Sequence, residues 1–329
     1  MENLKTIVRP NALERIVLAQ WPEIRAHGEK IAVSLSGGSD SMAVLGALAW
    51  LRRKHHFALS AVHFNHHWMP QAAEWEAFCA QTCAHLDVTF QVQHLNLTEH
   101  KKLGFEATAR RARYAFFEGS RAWDWVVMGH HQDDQLESFL LQLFRGAGTW
   151  GLSVMKGMRP LGADGPQIWR PYLGLTKQAL QSYCQLIGLT WVEDASNSDV
   201  RYQRNFLRQE VLPRLDQGSP RWRKAVVHAI DNLSEAQEIL DEVARQDTLT
   251  CAVEAGLAED RLRQLSLSRG HNLIRWWLRH QGIKVPARAH IEEWWKQCHS
   301  PPDRHPCIRW SGGKLHRHRG VWYFSPLDS

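Results

Sequence analysis

KIAVSLSGGSDSM (30–42) passes from an apolar run, through two adjacent glycines, into a polar stretch that opens a helical pattern. KIAVSLS (30–36) reads as a buried strand, and SMAVLGALAWLRRK (41–54) carries the helical period. Between them lies Ser36-Gly37-Gly38-Ser39-Asp40-Ser41. Adjacent glycines permit unusual backbone angles and let bare N–H groups approach a ligand, serine hydroxyls add donors, and a helix N-terminus favours negative charge. That combination is a phosphate cradle. No Gly-Lys-Ser/Thr follows, so it is not a Walker loop. A Gly-Gly turn flanked by serines can also be a mere tight connection. Asp40 inside the turn favours the cradle, since Mg²⁺ takes one or two carboxylates together with phosphate oxygens.

Outward from this stretch the first two hundred residues alternate strands and helices. FALSAVHF (57–64) is a second strand, with a helix at 71–86, then VTFQVQHL (88–95), a helix near 105–120, WVVMG (125–129) and a helix near 132–144. The series predicts an α/β domain with a parallel sheet covered by helices on both faces, binding ligands beyond the carboxyl ends of its strands. The Gly- and Pro-rich stretch 148–174 reads as loop, followed by a helix at about 176–187 and a short strand at Leu189–Val192. Beyond Pro220 the pattern turns helical, over roughly 221–246, 261–281 and 287–297, and IRWSGGKLHRHRGVWYF (308–324) reads as a terminal hairpin. The expected domains are 1–217 and a smaller, mostly helical 218–329.

The 329 residues carry a net charge of +6, and position sharpens it. Residues 1–200 hold 19 Lys+Arg against 19 Asp+Glu, whereas 201–329 hold 21 against 15. A polyanionic partner or a merely solvated basic face would explain the excess. No apolar run is long enough for a membrane span or a signal peptide, so a cytoplasmic protein is expected. The six cysteines form no C-x-x-C pair, and Cys79 with Cys83 reads as a buried helix stripe.

A second polar cluster, Gly129-His130-His131-Gln132-Asp133-Asp134-Gln135-Leu136-Glu137-Ser138, follows the strand at 125–129. Its acids could cap the next helix or face the crevice lined by the phosphate loop; one in each role is expected.

Four blocks stand in the order found in tRNA(Ile)-lysidine synthetases, a branch of the PP-loop ATP pyrophosphatases. They are SGGSDSM (36–42), FEATARRARYAFF (105–117), GHHQDDQLESFLLQLFRGAG (129–148) and RPYLGLTKQALQSYCQLIGLTWVEDASNSDVRYQRNFLRQEVLPRL (170–215). The first 215 residues resemble that family densely. Departures are His67-Trp68-Met69, where Gly-Leu-Arg is common, Ser138 in place of Thr, and an end about a hundred residues earlier than in many members.

The resemblance implies ATP and Mg²⁺ as cofactors, with free L-lysine and a tRNA(Ile) bearing a CAU anticodon as partners; a homodimer is one of the oligomeric states left open. Ser36, Gly37, Gly38, Ser39, Asp40 and Ser41 would bind ATP with His63, Gly129 and His130. Asp40 would hold the metal with one of Asp133 and Asp134, Asp133 being the first choice. His130 would contact the α-phosphate, and Asp134 and Glu137 would hold and deprotonate the lysine amine. Arg110, Arg113, Arg201, Arg204, Asn205 and Arg208 would contact tRNA, with Arg204 fixing the target base. Ion pairs with Glu193, Asp194 and Asp199 are the alternative for Arg201 and Arg208. A base-thiolating enzyme and a non-catalytic RNA-binding protein are the competing functions. Trp276, Trp277, Trp294, Trp295, Trp310 and Trp322 are core residues or base-stacking platforms, one of each adjacent pair being core. His316, Arg317, His318 and Arg319 are expected on RNA phosphates.

Overall fold

A computed structural model describes residues 10–66, 71–95, 105–162, 164–193, 203–301 and 306–326. The chain forms two compact units, divided between Ile230 and Asp231.

Among the described residues the first element of unit 1 is helix α1 (Ala12–His27), absent from the series read above. Asn11 and Glu14 close its first turn reciprocally, each side chain accepting from the other's backbone N–H. Then come β1 (Lys30–Leu35), α2 (Ser39–Arg52), β2 (Ala58–Asn65), α3 (Ala72–His85), β3 (Thr89–His94), α4 (Phe105–Glu118), β4 (Trp125–Val127) and α5 (Gln132–Phe144). The Gly/Pro-rich stretch is more structured than expected. It holds α6 (Thr149–Leu152), β5 (Met158–Pro160) and β6 (Gln167–Trp169), before α7 (Lys177–Leu186). Short strands bounded by glycines carry too few residues for a period, so the pattern alone reads as loop.

The sheet order is β3-β2-β1-β4-β6-β5, parallel except for the edge strand β5. Alternate residues of β1 feed two cores: Ile31, Val33 and Leu35 join one, Ala32 the other. Both faces are therefore covered, as an apolar parallel strand requires. The expected strand at Leu189–Val192 does not form. Leu189 donates its N–H to Cys184 at the end of α7, and Val192 donates to the Gly37 carbonyl, so neither joins the sheet. Residues 203–218 are helical as α8 (Gln203–Phe206), a π-turn (Leu207–Val211) and α9 (Leu212–Gly218).

The next helix, α10 (Trp222–Cys251), is continuous across the division between units. Its first turns belong to unit 1, where Trp222, Val226 and Val227 pack with Leu136 and Leu212. That packing carries unit 1 beyond residue 217.

Unit 2 contains β7 (Ala252–Val253), β8 (Gly256–Ala258), α11 (Glu259–Leu262), α12 (Leu267–His280), α13 (Arg288–Cys298), β9 (Cys307–Trp310), β10 (Gly313–His318) and β11 (Val321–Ser325). The terminal hairpin is the centre of a five-stranded antiparallel sheet, order β7-β8-β11-β10-β9. Trp276, Trp277, Trp294, Trp310 and Trp322 are all core. For Trp276 and Trp277 the core alternative holds for both members of the pair, since both indoles are buried. Arg317 is not a phosphate ligand either: it is buried, and its guanidinium donates to both Glu259 carboxylate oxygens at 2.9 and 2.8 Å.

Cys79 and Cys83 share a buried face of α3, and burial pushes both thiols up to about 12. Cys184 is likewise pushed up to about 12, whereas Cys307 alone is exposed. Because the thiolate is the reacting species, a disulfide-exchange reagent at pH 8 is expected to label one thiol, Cys307, in the native protein and all six after denaturation.

Candidate active site

The phosphate loop follows β1 and opens α2. Gly37 has φ +88°, in the left-handed region, and a Cβ there would meet Val192 Cγ2 at 2.8 Å. Gly38 is the N-cap of α2, and no side chain caps the helix. The first-turn N–H groups therefore lack side-chain acceptors, which is the arrangement an anion fills. Ser41 is buried and acts as a brace: its hydroxyl donates to the Gly38 carbonyl at 3.0 Å and accepts from the Ser36 N–H at 3.2 Å. Ser39 is also buried and donates to Asp40 at 3.0 Å. Ser36 is exposed at the loop, its hydroxyl 3.2 Å from Ser41 Oγ and accepting from the Gly38 N–H at 3.4 Å, whereas Gly37 is buried.

The acidic cluster reaches the same place because β1 and β4 are adjacent and parallel, Val33 standing opposite Val127. Gly129 packs directly on the loop: a Cβ there would lie 2.7 Å from the Asp40 carbonyl carbon and oxygen, and 2.9 Å from the Ser41 nitrogen. His131, which the sequence reading left without a role, joins the two regions. Its ring is buried, with Nε2 3.5 Å from both Asp40 Oδ2 and Asp134 Oδ2, and Nδ1 3.5 Å from Asp133 Oδ2. Burial lowers the pKa of His131, but the carboxylates outweigh it and the net direction is up. At Asp40, burial raises the pKa while His131, Lys177 and Ser39 pull it down, and the net direction is down.

The three acids differ. Asp134 accepts from the His131 N–H at 3.1 Å, half of a capping box. Asp133 is tied from outside the motif: it accepts from the Lys177 N–H at 3.2 Å and pairs with Arg223. Glu137 is fully buried on α5 and accepts from Arg208 at 2.7 and 3.0 Å, with Arg204 Nε 3.1 Å away. Burial pushes its carboxyl up against the pull of both arginines. Arg208 also stands 3.5 Å from Asp134. Arg204 donates to the Ser138 hydroxyl at 3.0 Å, so the Thr-to-Ser departure keeps a working acceptor.

Of the remaining site candidates, His63 lies near the end of β2, where its Nδ1 donates to the Leu35 carbonyl at 3.0 Å. Arg110 donates to Tyr114 at 3.2 Å, and Arg113 lies over the Phe64 ring. Both arginines are close enough to His130 to lower its pKa, after burial, which is the largest cause. Asn205 is half-buried on α8. Arg201 lies outside the described residues, as do Asp194, Asp199, His67, Trp68 and Met69. Arg170 and Arg223 were missed, although Arg170 opens the fourth quoted block. Arg223 had been assigned to the second domain.

The PP-loop domain family matches residues 11–215, well over half the chain, and a family described as "TilS substrate binding domain" matches 257–323. A tRNA(Ile)-lysidine synthase from Pseudomonas putida is 37% identical, covering 89% of this chain and 70% of its own length. The chain belongs to the tRNA(Ile)-lysidine synthase family. The namesake from Nitrosomonas europaea is also 37% identical, over 92% of this chain and 66% of its own length. The chain spans between 60% and 66% of the length of several such curated relatives. Among solved structures, a U34-tRNA thiolase NcsA from Methanococcus maripaludis superposes with a TM-score of 0.57 at 15% identity, over 68% of this chain and 78% of its own. That likeness shows a shared fold.

Gly129→Ala is expected to destabilise the protein by about 1–3 kcal/mol through overpacking, and to abolish nucleotide binding. Urea unfolding and nucleotide titration check this. Glu137→Ala, which removes the buried carboxylate that Arg204 and Arg208 share, should cost about 1–3 kcal/mol in the same unfolding assay.

Proposed function

We propose that the chain ligates lysine to C2 of the wobble cytidine in the CAU anticodon of tRNA(Ile). The cytosine C2 oxygen attacks the α-phosphate of ATP and expels pyrophosphate; the lysine amine then attacks C2 and expels AMP. The first step turns a poor leaving group into a phosphate ester. One observation carries the reading: the phosphate loop and the acidic cluster meet on one side of the sheet, with Gly129 against Asp40–Ser41 and His131 between the carboxylates.

The uncapped start of α2, with Ser36, Gly37 and Gly38, receives the departing pyrophosphate. His130 and His63 border the nucleotide. Among the described residues no group of three or more His, Cys, Asp or Glu converges as a metal cage. Mg²⁺ does not need one, because it is held through a carboxylate or two plus phosphate oxygens. Asp40 and Asp134 fit that demand, since both carboxylates approach the same His131 nitrogen and so lie within about 7 Å of each other. Asp133 fits less well, with its oxygens engaged by Arg223 and Lys177. When bound, the metal supplies positive charge to the phosphoryl oxygens.

Lysine arrives as an ammonium with an unperturbed pKa near 10.4 and must lose a proton before attack. Asp134 and Glu137 are the acids for it. Arg208 already holds a cation between them, so lysine binding there entails movement of its guanidinium. Arg110, Arg113, Arg204, Asn205 and Arg208, together with exposed basic residues of 218–329 such as Arg309 and Arg319, are the tRNA contacts in this reading. Arg204 is the residue set on the target base.

With ATP, Mg²⁺, labelled lysine and a CAU-bearing tRNA(Ile) transcript, lysine is expected to enter the RNA with equimolar AMP and pyrophosphate. Sulfur uptake, or no AMP formation, would refute the proposal. Asp40→Asn should lower turnover by roughly 100-fold or more while tRNA retention on a filter stays unchanged.

A further inference from the structure

Arg170 follows β6, the parallel neighbour of β4, and the Met128 N–H donates to the Trp169 carbonyl at 2.9 Å. That register sets Arg170 beside His130. Arg170 is only 3% exposed, and its guanidinium donates to the Lys156 carbonyl at 2.9 Å, the Tyr114 oxygen at 3.1 Å and His130 Nδ1 at 3.2 Å. Among the described residues no carboxylate pairs with it. A buried guanidinium without a counter-charge is costly, so its place here calls for a role that charge alone does not supply.

We infer that Arg170 is a positioning residue that fixes the proton of His130 on Nε2, so that the imidazole presents an N–H donor to the phosphoryl group undergoing transfer. A guanidinium only donates, so the nitrogen it contacts must accept. Nδ1 accepts, and the single proton of the neutral ring is left on Nε2. An imidazolium, or the opposite tautomer, would set N–H against N–H. Burial and the charges of Arg170, Arg110 and Arg113 hold the ring neutral, against the pull of Asp134.

Tyr114 completes the device. Its oxygen accepts from Arg110 at 3.2 Å and from Arg170 at 3.1 Å, and its own O–H turns to Met128 Sδ at 3.5 Å. The guanidinium is thus gripped from two sides while its third contact reaches the histidine. No acceptor among the described residues takes the Nε2–H of His130, which leaves that donor for a ligand.

The inference rests on the proposed adenylation, and its test separates the two. In the full-length protein with ¹⁵N-labelled histidine, the His130 ring is expected as the neutral Nε2–H form, with the Nε2 signal moving when a non-hydrolysable ATP analogue is added. Arg170→Gln should yield a tautomer mixture or a ring that protonates near pH 6.5. Pyrophosphate release should fall in kcat by roughly 100-fold, with KM for ATP within about twofold. Tyr114→Phe, which keeps Arg170 but loosens it, should give a smaller loss of the same kind and covers the case in which Arg170→Gln fails to fold. A wild-type ring protonated on Nδ1, or a tautomer unchanged in both variants, overturns the inference. A wild-type Nε2–H signal that responds to the analogue in a protein that never adenylates RNA overturns the proposed reaction and leaves the tautomer assignment standing.

Discussion

The contact of Gly129 with the backbone of Asp40 and Ser41 is the constraint on which the site depends. Two adjacent parallel strands end side by side, and whatever follows them must share the space beyond their carboxyl ends. A side chain at position 129 would wedge the phosphate loop away from the acids. Without one, the backbones touch, and the buried His131 ring gathers the carboxylates of residues 40, 133 and 134 around itself. Charge that would otherwise repel is thereby held within one small volume next to an uncapped helix end.

Much of this was legible in the residues. The apolar strand, the glycine pair and the helical period at 30–54 specify a strand–turn–helix whichever chemistry it serves, and β1 and α2 form there. What escaped was set by partners far apart in the chain. Arg170 and Arg223 acquire meaning only when β6 lies beside β4 and the first turns of α10 pack on α5, and neither pairing leaves a local pattern. The strands at 158–160 and 167–169 were obscured by the glycines and prolines around them, and Trp276 and Trp277 are both enclosed although helical geometry points them apart.

The basic excess of the last 129 residues also needs sorting by burial. Arg317 answers Glu259 inside unit 2, and Arg269 pairs with the buried Asp247. These guanidiniums hold the unit together. The positive charge open to a polyanion is therefore less than the sequence total, and it is carried by side chains such as Arg309 and Arg319 that remain exposed.

Gly37 does more than bend the chain. Its carbonyl receives the Val192 N–H at 3.0 Å, and its α-carbon leaves no room for anything but that valine and Cys79. Val192, which follows α7, is thus hitched to the loop through one hydrogen bond and one methyl contact. The bend of the phosphate loop is thereby braced from outside its own strand–turn–helix, by a residue that follows α7.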